Sequence, residues 1–216
     1  MTIDLYFMPS SAPCRAVNLV ASALGIYDKI NQRKLDLMSG EHLKPEFVKL
    51  NPQHIIPTLV DDGFSLWESR AICRYLVNKY GGGNNPLYPA DVKARAVVDQ
   101  RLDFDMGTLY AKFAVYFNPR FFGGHVEKDS LQKLLEALGF LNLFLESSKY
   151  VAGDDLTIAD LCLVATLSTI DVIGFSLKKY QNILRWYELV QKTAPNYQKA
   201  NAEPLEEFRT MIKNKK

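Results

Sequence analysis

The chain of 216 residues is poor in cysteine and in histidine, with three of each. Cys14, Cys73 and Cys162 are odd in number and far apart. That excludes a disulfide framework, and no zinc-ligand spacing is present, so no metal is expected. Reduced, mostly buried thiols fit the pattern. Neither sign of charge is in excess: 26 Lys and Arg against 24 Asp and Glu leave +2. This is too small and too evenly interspersed for a nucleic-acid footprint, and no nucleic-acid partner is expected. Long apolar runs are missing, and so is a charged start leading into an apolar stretch. The expectation is therefore no membrane partner, no secretory leader and a cytoplasmic location. There is no internal repeat and no low-complexity tract, and the basic end Lys213-Asn214-Lys215-Lys216 reads as a solvated tail.

What is present is an ordinary core-forming composition, with 48% hydrophobic and 23% charged residues. The length allows one large domain or two small ones. As far as Tyr80 the pattern alternates: strand Ile3 to Met8, helix from Pro13, strand around Lys34 to Asp36, helix Lys44 to Leu50, strand Pro57 to Val60. A turn at Asp61-Asp62-Gly63 joins that strand to Phe64-Ser65-Leu66-Trp67 as a hairpin, and helix resumes at Glu68. This order predicts a small mixed sheet flanked by helices. Gly81-Gly82-Gly83-Asn84-Asn85-Pro86 and Leu87-Tyr88-Pro89 cannot continue a helix and read as a linker. From Ala90 onward only helical periodicity remains, so an α/β domain over 1–81 and an all-α bundle over 90–216 are expected. Thr157-Ile158-Ala159-Asp160 is a capping box, and the helix it opens is apolar nearly all round to Ile173, as a central bundle helix is.

The most informative residue is Ser11, in Met8-Pro9-Ser10-Ser11-Ala12-Pro13-Cys14-Arg15. Ser11-Ala12-Pro13-Cys14 has the spacing of a redox Cys-x-x-Cys with the first sulfur replaced, so a disulfide cycle cannot run. Ser11 stands between a strand and a helix, where unpaired N–H groups and the aligned peptide dipoles favour negative charge. A serine hydroxyl is too weak an acid to attack here, and no base adjoins it, but it is a good donor. One hydrogen bond to a charged acceptor contributes about 1.5 to 3 kcal/mol. With the helix terminus it can lower a visiting thiol's pKa by roughly one to two units. The other reading is that Ser10 or Ser11 simply caps the helix.

Further candidates follow the same double reading. In Asn51-Pro52-Gln53-His54-Ile55-Ile56-Pro57-Thr58 the Ile56–Pro57 bond is a candidate cis peptide that would turn the Ile56 backbone toward an extended peptide; the alternative is a plain edge-strand proline. His42 and His54 can donate to a carboxylate. Glu68, Ser69 and Arg70 can hold an ammonium and a carboxylate at a helix start, or merely cap it. Tyr110, Phe113, Tyr116 and Phe117 recur at spacings of three and four, as core or as the wall of an apolar pocket. His125, in a loop, is assigned nothing.

Taken together these segments resemble a cytosolic glutathione transferase of the arthropod delta class. The resemblance rests on Ser-Ala-Pro-Cys-Arg at 11–15, Gly-Glu-His-Leu-Lys-Pro-Glu-Phe at 40–47, Asn-Pro-Gln-His at 51–54 and Ile-Pro-Thr-Leu-Val at 56–60. It continues through Leu-Trp-Glu-Ser-Arg-Ala-Ile at 66–72, Phe-Asp-Met-Gly-Thr-Leu-Tyr at 104–110 and Leu-Thr-Ile-Ala-Asp at 156–160. It implies a thioredoxin-like N-terminal domain, an α-helical C-terminal domain with the hydrophobic substrate site, a homodimer, and glutathione as co-substrate. Ser11 would hold the glutathione thiolate, and His42 and His54 would meet the glycyl end. Ile56, before a cis Pro57, would pair with the cysteinyl backbone. Glu68, Ser69 and Arg70 would hold the γ-glutamyl end, assisted by Asp105 of the partner subunit. Tyr110, Phe113, Phe117 and Phe208 would line the electrophile pocket. The family's usual Pro-Gly-Ser is Pro9-Ser10-Ser11 here, so Ser10 is expected to make a turn that glycine normally makes. Tyr27 to Lys34 is expected to be a lengthened surface loop. The implied reaction is conjugation of glutathione to small hydrophobic electrophiles, in detoxification. A thiol oxidoreductase using Cys14 and a non-enzymatic carrier of apolar ligands are the rival readings.

Overall fold

In the computed structural model, which describes residues 2–213 apart from the side chain of Met211, two halves of different class share one core. The end of the basic tail, 214–216, lies outside the described residues. The first half runs β1 (Ile3–Phe7), α1 (Ala12–Ala23), β2 (Ile30–Lys34), the short α2 (Pro45–Val48), β3 (Thr58–Asp61), β4 (Phe64–Trp67) and α3 (Ser69–Tyr80). The sheet order is β2-β1-β3-β4. β2 lies parallel to β1, β3 antiparallel to it, and β4 closes the hairpin on β3. This is a thioredoxin-like domain.

Two expectations are corrected. The second strand is Ile30–Lys34, not Lys34 to Asp36, and the supposed surface loop supplies it. Only Ile30 of its five residues is buried, because β2 is a sheet edge; Asn-Gln-Arg-Lys therefore shows no apolar alternation. Ser10 needs no left-handed backbone: it is absent from the residues with positive φ, and the turn closes through Ser11 N–H to the Met8 carbonyl at 3.1 Å.

The second half is helical: α4 (Val92–Phe104), a π-helical segment Asp105–Tyr110, α5 (Ala111–Phe122), α6 (Ser130–Phe144), α7 (Ile158–Val172), α8 (Gln181–Thr193), a π-helical turn Gln198–Ala202 and α9 (Glu203–Lys213). Every residue of α7 from Ile158 to Ile170 is buried, as its all-round apolar pattern requires. Its capping box forms, with Asp160 accepting from the Thr157 N–H at 2.9 Å. α7 packs against α1, itself buried from Ala12 to Ser22, so the two halves meet along the helix that Ser11 opens. Among the described residues no helix is long and apolar enough to cross a membrane.

Candidate functional site

Strand register brings the site together. Tyr6 pairs with Thr58 and Thr58 with Trp67, so the end of β1, the start of β3 and the end of β4 share one edge of the sheet. Met8 to Ser11, Ile56–Pro57 and Glu68 follow or precede those positions directly, and all three segments emerge at that edge. The Ile56–Pro57 bond is cis.

Ser11 is the N-cap of α1 with extended backbone, φ −71° and ψ 120°, and its side chain makes no capping bond. The helix instead starts from its carbonyl, which accepts from the Arg15 N–H at 3.0 Å. Pro13 in the first turn has no N–H to compete for the hydroxyl. Ser11 and Ser10 both line a cavity of about 580 Å³. At one end it is bounded by His42, His54 and Ile56; at the other by Tyr110, Phe113, Phe117 and Phe208. All four aromatic residues expected in the pocket are there. Phe113 and Phe117 stack at 5.4 Å between centroids, and Phe208 meets Phe117 edge-on at 5.9 Å. His42 Nδ1 is buried with no hydrogen-bond partner among the described residues, and the two imidazoles stand 6.1 Å apart. The polar end can thus receive a carboxylate, and the aromatic end an apolar group.

The remaining residues are not part of this cavity's lining. Glu68 is exposed at φ 66°, a left-handed conformation that glycine favours, and it makes no capping bond to α3. Ser69 is buried and accepts from Arg70 Nη1 at 2.9 Å. Arg70 is buried in turn and ion-paired with Asp105 of its own chain. Asp105 opens the π-helical segment and Tyr110, which lines the cavity, closes it. Its exposed Gly107 leaves open space where a side chain would be.

Cys14 is fully buried one turn below the cavity. Burial pushes its thiol up to about 11, against smaller downward pulls from the Ser11 hydroxyl, the Met8 backbone and Arg15. A thiol so placed is neither reachable nor ionised at neutral pH. Met38, Phe122 and Thr169 also line the cavity without having been marked by any motif. Met38 sits in a loop and Phe122 one residue beyond the stripe's spacing. Thr169 lies on a helix that reads as pure core. Among the described residues there is no cluster of three or more potential metal ligands.

Comparison with known proteins agrees with this geometry. Residues 5–84 match the family model of the glutathione S-transferase N-terminal domain, and residues 104–193 that of the C-terminal domain. A delta-class glutathione transferase from Nilaparvata lugens is 51% identical over 99% of this chain and 100% of its own, with a TM-score of 0.94. A glutathione transferase from Bombyx mori, solved in complex with GTT, is 39% identical over 100% and 98% of the two chains, TM-score 0.88. An epsilon-class enzyme from the housefly Musca domestica is 36% identical over 99% and 98%, TM-score 0.90. A sheet edge carrying a serine at a helix mouth, an aromatic-walled cavity beside it and these matches along both halves make the chain a member of the glutathione transferase family, in its delta class.

Proposed function

We propose that this glutathione transferase seats the sulfur of glutathione at the Ser11 hydroxyl and conjugates it to small hydrophobic electrophiles held by Tyr110, Phe113, Phe117 and Phe208. One observation carries the reading: a single cavity joins a serine hydroxyl at a helix N-terminus to an aromatic wall. The helix terminus and the hydroxyl favour the thiolate over the thiol. The sulfur's electron pair then forms the new C–S bond as the leaving group departs from the electrophilic carbon. His42 and His54 receive the glycyl carboxylate, the Ile56 backbone the cysteinyl unit, and Glu68 with Ser69 the γ-glutamyl end. Arg70 braces that end through its ion pair with Asp105. The glutathione-binding domain is taken as 1–81 and the substrate domain as 90–216, in a cytoplasmic homodimer serving detoxification.

The test is conjugation of glutathione to a chromogenic aryl chloride, together with the ultraviolet mercaptide band of the glutathione-saturated protein. Turnover and a band at neutral pH are expected; neither appearing would leave a carrier of apolar ligands. The oxidoreductase reading makes a separate demand on Cys14. Native protein is expected to be inert to a disulfide thiol reagent at pH 8, all three cysteines being buried, and to release three equivalents when denatured. Cys14→Ala should change turnover by less than about threefold; loss of turnover in that variant would restore the redox reading.

A further inference from the structure

Arg15 carries a charge that nothing around it neutralises. It is fully buried between α1 and α7. Its guanidinium donates to Asn201 Oδ1 at 2.9 Å, the Ala165 carbonyl at 3.2 Å, Ser168 Oγ at 3.3 Å and Thr169 Oγ1. All four acceptors are neutral, and among the described residues no ion pair forms and its Nε has no hydrogen-bond partner. The titratable neighbours are neutral too. Burial raises the Cys14 thiol and the hydroxyls of Tyr110, Tyr187 and Tyr197 above their ordinary values. Asp171, further along α7, faces Arg209 and Tyr187. Burial lowers Arg15 itself only to about 10, so it stays charged at neutral pH.

An isolated buried cation is costly and survives where something offsets it. The cavity supplies the missing anion. Arg15 stands one helical turn below Ser11, its amide bonded to the Ser11 carbonyl. Residues so spaced have Cβ atoms about 5–6 Å apart, with the stem tilted toward the helix start. Thr169, whose hydroxyl accepts a hydrogen bond from the guanidinium, is itself part of the cavity wall. We propose that Arg15 is a positioning residue for the reaction: its unneutralised charge, acting through the first turn of α1 and through Thr169, holds glutathione's sulfur ionised at the Ser11 seat. The proposal rests on the reading of Ser11 above. The other groups facing that seat are Cys14, Tyr110, His42 and His54, with the Arg70–Asp105 pair behind Tyr110 neutral in sum.

The experiment titrates the mercaptide band of the glutathione-saturated protein against pH. Arg15→Gln should raise the midpoint by about one unit, a tenfold loss in the ionisation constant, while the KM for glutathione moves less than about threefold. Arg15→Lys should restore most of that shift. Asn201→Asp keeps the shape of a residue outside the binding machinery and sets a carboxylate on the guanidinium; it should raise the midpoint by about half a unit to one unit, a loss of roughly threefold to tenfold in the ionisation constant, with Arg15 still present. Should Arg15→Gln not fold, Asn201→Asp decides. A midpoint unmoved in Asn201→Asp, and in Arg15→Gln where it folds, overturns the proposal and leaves Arg15 as a strut between the halves. Ser11→Ala separates the two readings: if it leaves the midpoint in place while the Arg15 and Asn201 variants shift it, the hydroxyl's part in holding the thiolate fails, and the Arg15 charge alone acts on a sulfur seated at the mouth of α1.

Discussion

Ser11→Ala is expected to lower kcat/KM for conjugation of glutathione to an aryl chloride by roughly tenfold to a hundredfold at neutral pH, because a hydrogen bond to a charged acceptor contributes about 1.5 to 3 kcal/mol. The loss should fall on the sulfur and not on binding. In the proposed seating most of glutathione's contacts, from His42 and His54 to Glu68 and Ser69, are made elsewhere, so its KM should change little. The sign of the pH effect follows. Removing a donor to the thiolate raises the bound thiol's pKa, so the deficit is largest below the normal midpoint and shrinks as the pH rises past the new one. The fold should be untouched, since the Ser11 side chain caps nothing and the helix begins from its carbonyl, which alanine keeps. Ser10→Ala is the control, because Ser10 shares the cavity wall. A large loss in Ser10→Ala with none in Ser11→Ala would move the sulfur's seat by one residue.

How much of this was legible in the sequence depends on how local the determining contacts are. The Thr157–Asp160 cap, the hairpin about Gly63 and the helix opening at Ser11 are set within a few residues by hydrogen bonds or turn preference, and all appear in the structure. The cis bond before Pro57 stood as one of two readings, which only the packed chain separates. β2 was displaced because an edge strand has one buried residue and no period to read. The π-helical turn at Asp105 was invisible because its residues look as helical as their neighbours. Nothing local suggests that Asp105 meets Arg70, a partner 35 positions away in the same chain. Arg15 is the extreme case. Its neutral surroundings come from α7 and the turn at Asn201, more than 140 positions on, and no spacing rule announces the absence of a counter-charge.

Asp160→Ala is expected to be the most destabilising of the substitutions considered, by about 3 to 5 kcal/mol, against a total of roughly 5 to 15 for a protein of ordinary stability. The carboxylate is fully buried, and four donors converge on it. Oδ1 accepts from the Val151 N–H at 2.9 Å and Trp186 Nε1 at 2.8 Å; Oδ2 accepts from the Thr157 N–H at 2.9 Å and its hydroxyl at 3.0 Å. Each donor left buried without a partner costs about 1 to 3 kcal/mol, and they share one acceptor group, so the losses overlap. Thr157→Ala removes the cap to the Ala159 N–H and one of the four donors to Asp160, leaving the other three, and should cost about 1 kcal/mol. Asp160→Asn keeps the shape but aims an NH2 group at donors, and should recover only part of the loss. The cost reaches the site because α7 underlies α1: a loosened α7 lets Thr169 and the start of the Ser11 helix move apart. Urea unfolding followed by the fluorescence of Trp67 and Trp186 measures it, with the Asp160→Ala midpoint falling well below that of Thr157→Ala. Equal midpoints for the two would mean that Asp160 serves the cap alone, and that its bonds to Val151, in the loop before α7, and to Trp186, on α8, contribute nothing to stability.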